Sequence, residues 1–528
     1  MKKEFKVFLS FFIFYSLFIN WYGWNEQSHF VLVKAIGEEN RFEIDSFYNT
    51  TGDRAVFNGH YYSDKDPGLA IISQPIYIFW SRLYQFLPSK LKEEYSFNPN
   101  IFYEDISGKE KIYWYVNLGL LDYYSMIFLT IFSSTIFSAL TVVLVFKVSS
   151  MFLKSERWKA SVALTYGLAT LQFPYSLHFM NHATSTFFAF LSFYTLLSHT
   201  TFRKMLLGGI ALGFATTIDH SILLLALPLL LFSIFKKRQF LPIFFGFMLG
   251  ALPLLLYNFV NFKNPFVFAS TYVDRNIFIR AYEISQTPSV KVKKLSLFDL
   301  NFLEKLHFES KPNLFVVLRL LFYPYRGLFF YHSVLLLSIP GLILMSKKYK
   351  LESIFIFSLL LLFPIFVSMR RIWWGGYCFG ERYFLPITPF LFIPLIYLLS
   401  KNHAKKLFLF LAVLSIIVNI LGLGFAEDDA YDWKTMDMRG DWFTEQNSFK
   451  ILSNPLLEHY IPQFFKYGPR SRILEEVLNG YIYEVDIRLT PMPCGFKCNR
   501  PYIHIPFLPL LFFIFPLLFL SKELLKDR

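Results

Sequence analysis

The stretch "GHYYSDKDPGLA", residues 59–70, interrupts a sequence that is otherwise dominated by apolar runs. It places two acids, a lysine, a histidine and two tyrosines next to a Pro-Gly pair. An apolar segment begins within it, "LAIISQPIYIFWSRLYQFLP" at 69–88, whose length is that of a membrane-spanning helix. Whether that segment crosses the membrane decides the topology of the chain.

The composition indicates the class of protein. Of 528 residues, 54% are hydrophobic and only 17% are charged, against roughly 25% in soluble proteins. Apolar runs close to the ~20 residues of a membrane-spanning helix recur from end to end. A soluble protein would have to bury many helices that are hydrophobic all round. The sequence therefore predicts an all-α polytopic membrane protein.

The distribution of lysine and arginine predicts the orientation. Seven segments together carry 21 Lys and Arg against four acids: 1–6, 147–159, 198–204, 236–238, 346–350, 401–406 and 521–528. The positive-inside rule assigns them to the cytoplasm, which predicts about twelve crossings in the plasma membrane with both termini inside. Residues 7–24 form the first crossing, since no small-x-small cleavage site follows them. The net charge of +14 then reflects topology, and no nucleic-acid partner is expected.

The segment at 69–88 does not fit as a crossing. If it crossed, the basic segment at 147–159 would lie outside. We therefore expect a juxtamembrane helix on the outer face, with Arg82, Tyr84 and Gln85 turned to water, and the next crossing at about 117–146. Residues 24–116 then form one long extracytoplasmic loop, and a loop of that length usually has a function.

The stretch 205–235 has Asp219 and His220 in the middle of an apolar run. Basic residues flank both ends, which predicts a hairpin of two short helices turning at Asp219. It is either an ordinary tight hairpin or a pair of half-depth helices beside a polar cavity.

The expected organisation is a transmembrane core at 1–424, with a second large outer loop at 260–329. An extracytoplasmic cap at 425–503 precedes a last transmembrane helix and cytoplasmic tail at 504–528. In the cap, Cys494 and Cys498 are either a disulfide on the oxidising side or two free thiols. No cofactor motif is evident and no metal site is assigned, which leaves a divalent-metal requirement open.

The polar stretch itself predicts a function. Ionisable residues such as His60, Asp64, Lys65 and Asp66 are costly to desolvate at the mouth of a helical bundle. Asp64 and Lys65 also precede a helix N-terminus, which attracts anions. A phosphate at the level of the lipid headgroups is the natural candidate.

The order of a first helix, a long acidic outer loop and "YYSDKDPG" resembles the GT-C-fold glycosyltransferases that use lipid-linked sugars. Protein O-mannosyltransferases and aminoarabinose transferases carry a Lys-Pro-Pro-like motif in this place. The resemblance covers most of the chain, through "TLQFPYSLHFMNHATS" (170–185), "YNFVNFKNPF" (257–266), "YPYRGLFF" (323–330) and "WWGGYCFGERYFLPITPF" (373–390). The order of these motifs carries it, because none is as specific as a metal-binding signature.

The resemblance implies a GT-C-like bundle that moves a sugar from a polyprenyl-phosphate carrier to a lipid, glycan or protein acceptor outside the cell. An acid of the first loop would take the acceptor proton, and cations would hold the phosphate. The alternatives are a transporter or lipid flippase, for which internal repeats are expected, an O-antigen ligase or polymerase, and a non-catalytic scaffold derived from a transferase.

Candidate catalytic acids follow from the same comparison. Where many members of the superfamily carry an Asp-Glu pair, this chain has Asn25-Glu26, and Asn25 cannot accept a proton. Glu26, Asp53 and Asp64 remain candidates for the base, with Asp53 and Asp64 ranked first because they share one polar segment. Asp53 could equally be a turn residue after Gly52.

Candidate phosphate ligands are Lys65, Arg326 and Arg382. Lys65 matches the motif lysine, although Asp66 separates it from Pro67. Either arginine could instead be a snorkelling interfacial residue. Possible cavity-lining residues are His60, Tyr62, His182, Asp219 and Trp374, the last of which could stack on a sugar or anchor at the interface.

Overall fold

The computed structural model describes most of the chain. Described are residues 2–19, 23–86, 100–104, 111–115, 120–198, 201–235, 240–274, 311–370, 373–375, 378–401, 404–423, 454, 456–469, 471, 473–474, 505 and 507–525. These residues are mostly helical, as the sequence predicts. Most of the expected cap at 425–503, including Cys494 and Cys498, lies outside them.

The helix predicted over 7–24 ends earlier than expected, and a second helix begins at the last residue of that stretch. Helix α1 spans Lys3–Ser16 and α2 spans Trp24–Lys34. Gly23 is extended, and its backbone N–H donates to the carboxylate of Glu26 at 3.1 Å. An acid three residues into a helix satisfies a free N–H there, so Glu26 marks a new helix start.

Where the structure describes it, the predicted first loop at 24–116 contains two β-hairpins and the expected helix. Strands β1 (Arg54–Phe57) and β2 (His60–Ser63) pair antiparallel. Asn58 and Gly59 turn between them with positive φ, as in a type I′ turn. Helix α3 spans Gly68–Gln85, so the helix expected over 69–88 is present, and its juxtamembrane position stays a prediction. Strands β3 (Asn100–Glu104) and β4 (Lys111–Tyr115) form the second hairpin.

The remaining helices are α4 (Leu120–Thr130), α5 (Ile136–Phe152), α6 (Glu156–Leu168), α7 (Gln172–Tyr175), α8 (Asn181–Ser198), α9 (Phe202–Ile218), α10 (Leu223–Phe235), α11 (Phe240–Phe262), α12 (Leu314–Phe322), α13 (Leu328–Tyr331), α14 (Ser338–Ser346), α15 (Lys350–Ser368), α16 (Thr388–Ser400), α17 (Lys405–Leu421), α18 (Ile461–Tyr467) and α19 (Ile514–Leu525).

Four described segments are long and apolar enough to cross a membrane. They are Tyr124–Phe152, Phe240–Phe262, Lys350–Ser368 and Arg382–Ser400. Many large apolar side chains on the outer helix faces are exposed, including Leu227, Leu249 and Ile343. Such surfaces are stable in lipid and not in water. The count of about twelve crossings stays a prediction.

The turn predicted at Asp219 is confirmed. Helix α9 ends at Ile218, and the Asp219 carboxylate caps a short 3₁₀ turn, His220–Ile222, before α10. However, α9 packs mainly along α8 and α11, whereas α10 packs most against α15. The two arms therefore diverge and are not an ordinary tight hairpin.

Glycines join α9 to α11. A side-chain carbon on Gly209 or Gly213 would lie 2.2 or 2.1 Å from a backbone carbonyl oxygen of α11. The same holds in reverse for Gly246 and Gly250 against α9, at 2.2 Å each. Two facing Gly-x-x-x-Gly motifs let helix backbones approach closely in membranes. A smaller apolar cluster, containing Phe30, Leu69, Tyr77, Ile218 and Tyr257, connects this helix pair to the first loop.

We expect Gly213→Val to destabilise the protein by roughly 1–3 kcal/mol, because overpacking must separate α9 from α11. Leu207→Val is the matched control, since Leu207 lies on the same helix and is exposed. Thermal unfolding in detergent would show a lower Tm for Gly213→Val alone. Equal Tm values for the two variants would contradict the close helix contact.

Candidate functional site

The start of α3 presses against the end of α9. A side-chain carbon on Gly68 would lie 2.5 Å from the backbone nitrogen of Ile218. Only glycine leaves room for such an approach of two backbones. It brings the polar segment that precedes Gly68 to the turn between α9 and α10.

Asp66 ties that segment to the turn. Its Oδ2 accepts a hydrogen bond from the His220 backbone N–H and faces the His220 Nδ1, each at 2.7 Å. Asp219 accepts from the N–H and hydroxyl of Ser221 and faces His182 Nδ1 at 2.7 Å. The first loop, the α9–α10 turn and the start of α8 therefore meet at one place.

Lys65 belongs to a polar cluster. Its members are Glu26, Ser28, Asp53, Asp64, Lys65, Asp66, His178, His182, Asp219, His220, Glu381 and Arg382. The Lys65 ammonium donates to Asp53 at 2.8 Å and to Asp64 at 3.0 Å, and Asp64 also accepts from the Ser28 hydroxyl at 3.0 Å. Burial raises the pKa of Asp64 in spite of Lys65. Burial would lower the pKa of Lys65, but the two carboxylates outweigh it and raise that pKa. The lysine is therefore held in its charged form. Three residues that the sequence predicts for the site come together here: Lys65, Asp53 and Asp64.

Arg382 adds a second cation to the cluster. It follows Glu381 at the start of a 3₁₀ turn, Arg382–Ile387, and interacts electrostatically with Lys65, Asp53 and His182. Its Nε is buried and makes no hydrogen bond with any residue that the structure describes. Arg382 therefore adds positive charge to the surroundings of Asp53 and Lys65.

Glu381 is a buried acid to which sequence patterns assign no role. One carboxylate oxygen accepts from the Tyr383 N–H at 3.2 Å, and the other has no hydrogen-bond partner among the described residues. Burial raises the pKa of Glu381 to about 7, although Arg326 and Arg382 act in the opposite direction. This carboxyl therefore changes charge near neutral pH.

Glu26 lies inside the protein. Its side chain is fully buried, and it pairs with His178 Nδ1 at 2.8 Å as well as with the Gly23 N–H. A carboxylate so enclosed orients α2 against the loop before α8. In this arrangement it has no surface for an acceptor.

Arg326 is also enclosed. It is buried and donates to the backbone carbonyls of Trp374, at 2.9 Å, and Cys378. These bonds hold the loop around 373–380 and favour a structural role for this arginine. Trp374 is buried as well, with its ring edge-on to Trp373. Its ring packs inside the protein and does not face a membrane interface.

His60 and Tyr62 lie apart from Lys65 on β2. His60 is exposed and pairs with Asp45 at 2.7 Å. Tyr62 is buried against Phe262, with ring centroids 5.2 Å apart. Among the residues that the structure describes, neither side chain makes a hydrogen bond to the polar cluster.

Sequence patterns missed four residues of the cluster: Ser28, His178, His220 and Glu381. His178 lies four residues before the predicted site residue His182, in the loop that precedes α8. His220 was visible as the neighbour of Asp219. Ser28 and Glu381 carry no comparable pattern.

Asp66, Asp219 and His220 have the geometry of a metal site. Each brings one ligand atom within 4.8 Å of the others. However, the Asp66 and Asp219 oxygens already accept hydrogen bonds from His220, Ser221 and His182. Asp66 is therefore paired with His220, and Asp219 with His182 and Ser221.

No family model matches the chain, and no curated protein matches it. Among solved structures, the chain is similar to ArnT from Cupriavidus metallidurans bound to undecaprenyl phosphate. The TM-score is 0.43 with 11% identity, over 99% of this chain and 76% of that chain. At that distance, nothing about this protein's activity follows from the likeness.

The raised pKa of Glu381 predicts how the stability of the protein depends on pH. Because its pKa is raised from an ordinary 4.5 to about 7, the folded state holds the proton more tightly than the unfolded state. Its contribution to stability is complete below about 4.5 and is lost as pH rises to about 7, by at most about 1.4 kcal/mol per pH unit. Between pH 5 and 7.5, the Tm of Glu381→Gln should fall less steeply than that of wild type. Glu39→Gln is the control, and its Tm should fall as steeply as that of wild type. Parallel Tm curves for wild type and Glu381→Gln would contradict the buried protonated carboxyl.

Proposed function

We propose that the protein is an integral-membrane glycosyltransferase with a GT-C-like bundle of about twelve transmembrane helices. It moves a sugar from a polyprenyl-phosphate carrier to an acceptor on the extracytoplasmic face. The observation that carries the proposal is Lys65, a charged lysine held by Asp53 and Asp64 at the approach to a helix with an exposed apolar face. Such a site combines a phosphate ligand, a proton acceptor and contact with lipid.

The phosphate is bound by Lys65 and Arg382. An ammonium has three N–H donors, and the contacts to Asp53 and Asp64 leave one for a phosphate oxygen. The guanidinium of Arg382 can bind phosphate through two parallel hydrogen bonds. As the bond from the sugar carbon C1 to the phosphate oxygen breaks, negative charge grows on that oxygen. Fixed cations at this position lower the barrier.

Asp53 is the base in this proposal. Its side chain is 26% exposed, against 12% for Asp64, whose carboxylate also binds Ser28. Asp53 takes the proton of the acceptor hydroxyl, the acceptor oxygen bonds to C1, and polyprenyl phosphate leaves. Asp64 holds Lys65 in place. Glu26 orients α2 through His178, outside the reach of an acceptor.

The acceptor is a lipid, a glycan or a protein, and the enzyme acts in the plasma membrane with both termini in the cytoplasm. The alternatives are a transporter, a flippase and a non-catalytic scaffold. These classes bind lipid without breaking a sugar–phosphate bond. Turnover therefore separates them from a transferase.

Purified protein in lipid nanodiscs should release sugar from one member of a panel of polyprenyl-phosphate sugars. Asp53→Asn should lower kcat by about 10²–10⁴, the usual contribution of a general base. Lys65→Ala should raise KM and lower kcat, because it removes a phosphate ligand. Asp45→Asn is the matched control, since Asp45 lies in the same outer loop but pairs with the exposed His60.

Wild-type protein that binds the carriers but turns none over would exclude the transferase and favour a flippase or scaffold. Turnover that is unchanged in Asp53→Asn and reduced in Asp64→Asn would show that Asp64 is the base and that Asp53 holds Lys65 in place. Equal activity in Lys65→Ala and wild type would contradict the proposed phosphate site.

A further inference from the structure

Four basic segments meet at one end of the helical bundle. They are the segments at 1–6, 147–159, 346–350 and 401–406, all predicted to be cytoplasmic. Lys3 pairs with Glu156 at 3.0 Å, which joins the first segment to the second. The Phe152 and Tyr349 rings meet edge-on, with centroids 5.8 Å apart, which joins the second segment to the third. These contacts gather the first three segments on one surface.

Four lysines at this end lie over aromatic rings. They are Lys147 over Tyr194, Lys348 over Tyr349, Lys401 over Tyr397 and Lys405 over Trp158, with each ammonium 4.7–5.7 Å from the ring centroid. Since Trp158 belongs to the second segment, Lys405 joins the fourth segment to the others. An aromatic face attracts a cation without neutralising its charge. None of the four lysines pairs with a carboxylate that the structure describes.

The surface formed by these four segments, the basic face, carries a large net charge. It has 13 lysines and arginines against two acids, Glu4 and Glu156. The helix dipoles do not compensate for this difference. Helices α5, α14 and α16 end at the basic face with their negative poles, whereas α6, α15 and α17 begin there with their positive poles. Most of the positive charge is therefore available to an external anion.

The basic face borders on a surface that is suited to lipid. Ile343 lies one helical turn before Lys347 on α14 and is 66% exposed, and Leu407, two residues after Lys405, is 47% exposed. Exposed apolar side chains of a membrane protein contact the hydrocarbon of the bilayer. Lysines within one turn of them extend to the level of the headgroups. The anions at that level are the phosphates of phospholipids.

The basic face is separate from the polar cluster. His182 belongs to the cluster at the start of α8, and Tyr194, beneath Lys147, lies 12 residues further along the same helix. Twelve residues of an α-helix span about 18 Å. A ligand at the basic face is therefore distinct from the one proposed at Lys65.

Lys348 and Lys401 are the best-placed pair. The Tyr349 and Tyr397 rings beneath them meet edge-on at 5.7 Å, so the two ammonium groups lie over adjoining rings. Both lysines are exposed. They follow the ends of α14 and α16, which pack so closely that a side-chain carbon on Gly341 would lie 2.3 Å from a backbone carbonyl oxygen of α16. Two cations are thus held near each other on fixed helix ends.

We propose that the basic face binds an anionic phospholipid, with the headgroup phosphate between Lys348 and Lys401 and an acyl chain against the apolar surface of α14. Basic clusters at the cytoplasmic ends of membrane helices bind anionic headgroups. The bound lipid holds the ends of α14 and α16 together. The inference is independent of the transferase activity, because it concerns the other end of the bundle.

The test measures lipid binding by native mass spectrometry of the full chain in neutral detergent. We expect phosphatidylglycerol to bind more tightly than phosphatidylcholine. Lys348→Gln/Lys401→Gln should weaken the binding of phosphatidylglycerol about 25-fold, since each lysine near an anionic surface contributes about fivefold in affinity. Lys263→Gln/Lys311→Gln is the matched control, because it removes the same charge from two exposed lysines of the predicted outer loop at 260–329. Its affinity should equal that of wild type.

Two results of this experiment would overturn the proposal. One is equal affinity of wild type for phosphatidylcholine and phosphatidylglycerol, and the other is equal weakening in the two double variants. Competition by inorganic phosphate at the same concentration as the lipid would also overturn it, because the site would then be one for free phosphate.

A charge-preserving variant separates charge from packing. Lys348→Arg/Lys401→Arg should keep the affinity of wild type for phosphatidylglycerol. A loss equal to that of the glutamine variant would show that the two lysines act through packing, and would contradict the proposal. A Tm measurement in phosphatidylcholine identifies any variant that fails to fold. The single variant Lys401→Gln, with an expected loss of about fivefold, replaces the double variant in that case.

Discussion

The approach of Gly68 to the backbone of Ile218 determines where the polar segment of the first loop lies. Because no side chain fits between them, the start of α3 is fixed against the end of α9. Helix α9 is in turn held against α11 by facing glycines. Close backbone contacts therefore fix the relative positions of α3, α9 and α11. The polar cluster lies beside that junction.

The cluster is stable because its charges are paired. Glu26 pairs with His178, Asp66 with His220, Asp219 with His182, and Lys65 with two carboxylates. Removing one partner from a buried pair typically costs about 3–5 kcal/mol, since the other charge is left without compensation. Apolar packing of similar volume would serve stability as well. Ionisable residues at the outer ends of apolar helices therefore point to function.

The sequence predicted those features that depend on local pattern. The helix at Gly68–Gln85 followed from an apolar run, and the turn at Asp219 followed from a polar pair between basic flanks. Asp53 and Asp64 were grouped because they share one polar segment, and both bind the Lys65 ammonium. The end of α1 at Ser16 was missed, because the residues that follow it continue an apolar run in composition.

Pairings between distant segments could not be predicted. His178 is 152 residues from Glu26, and His220 is 154 residues from Asp66. Nothing in local composition distinguishes Arg326, which binds backbone carbonyls, from Arg382, which interacts electrostatically with Lys65. His60 is adjacent to the key residues in sequence, but its position at the tip of a hairpin directs it to solvent.

A cryo-EM structure of the protein in nanodiscs with a long-chain polyprenyl phosphate would test the phosphate site itself. We predict phosphate density within hydrogen-bond distance of the Lys65 ammonium and on the same side as the Arg382 guanidinium. Phosphate density elsewhere, with Lys65 still bound only by Asp53 and Asp64, would show that this lysine is a structural ion pair and that the proposed site is wrong.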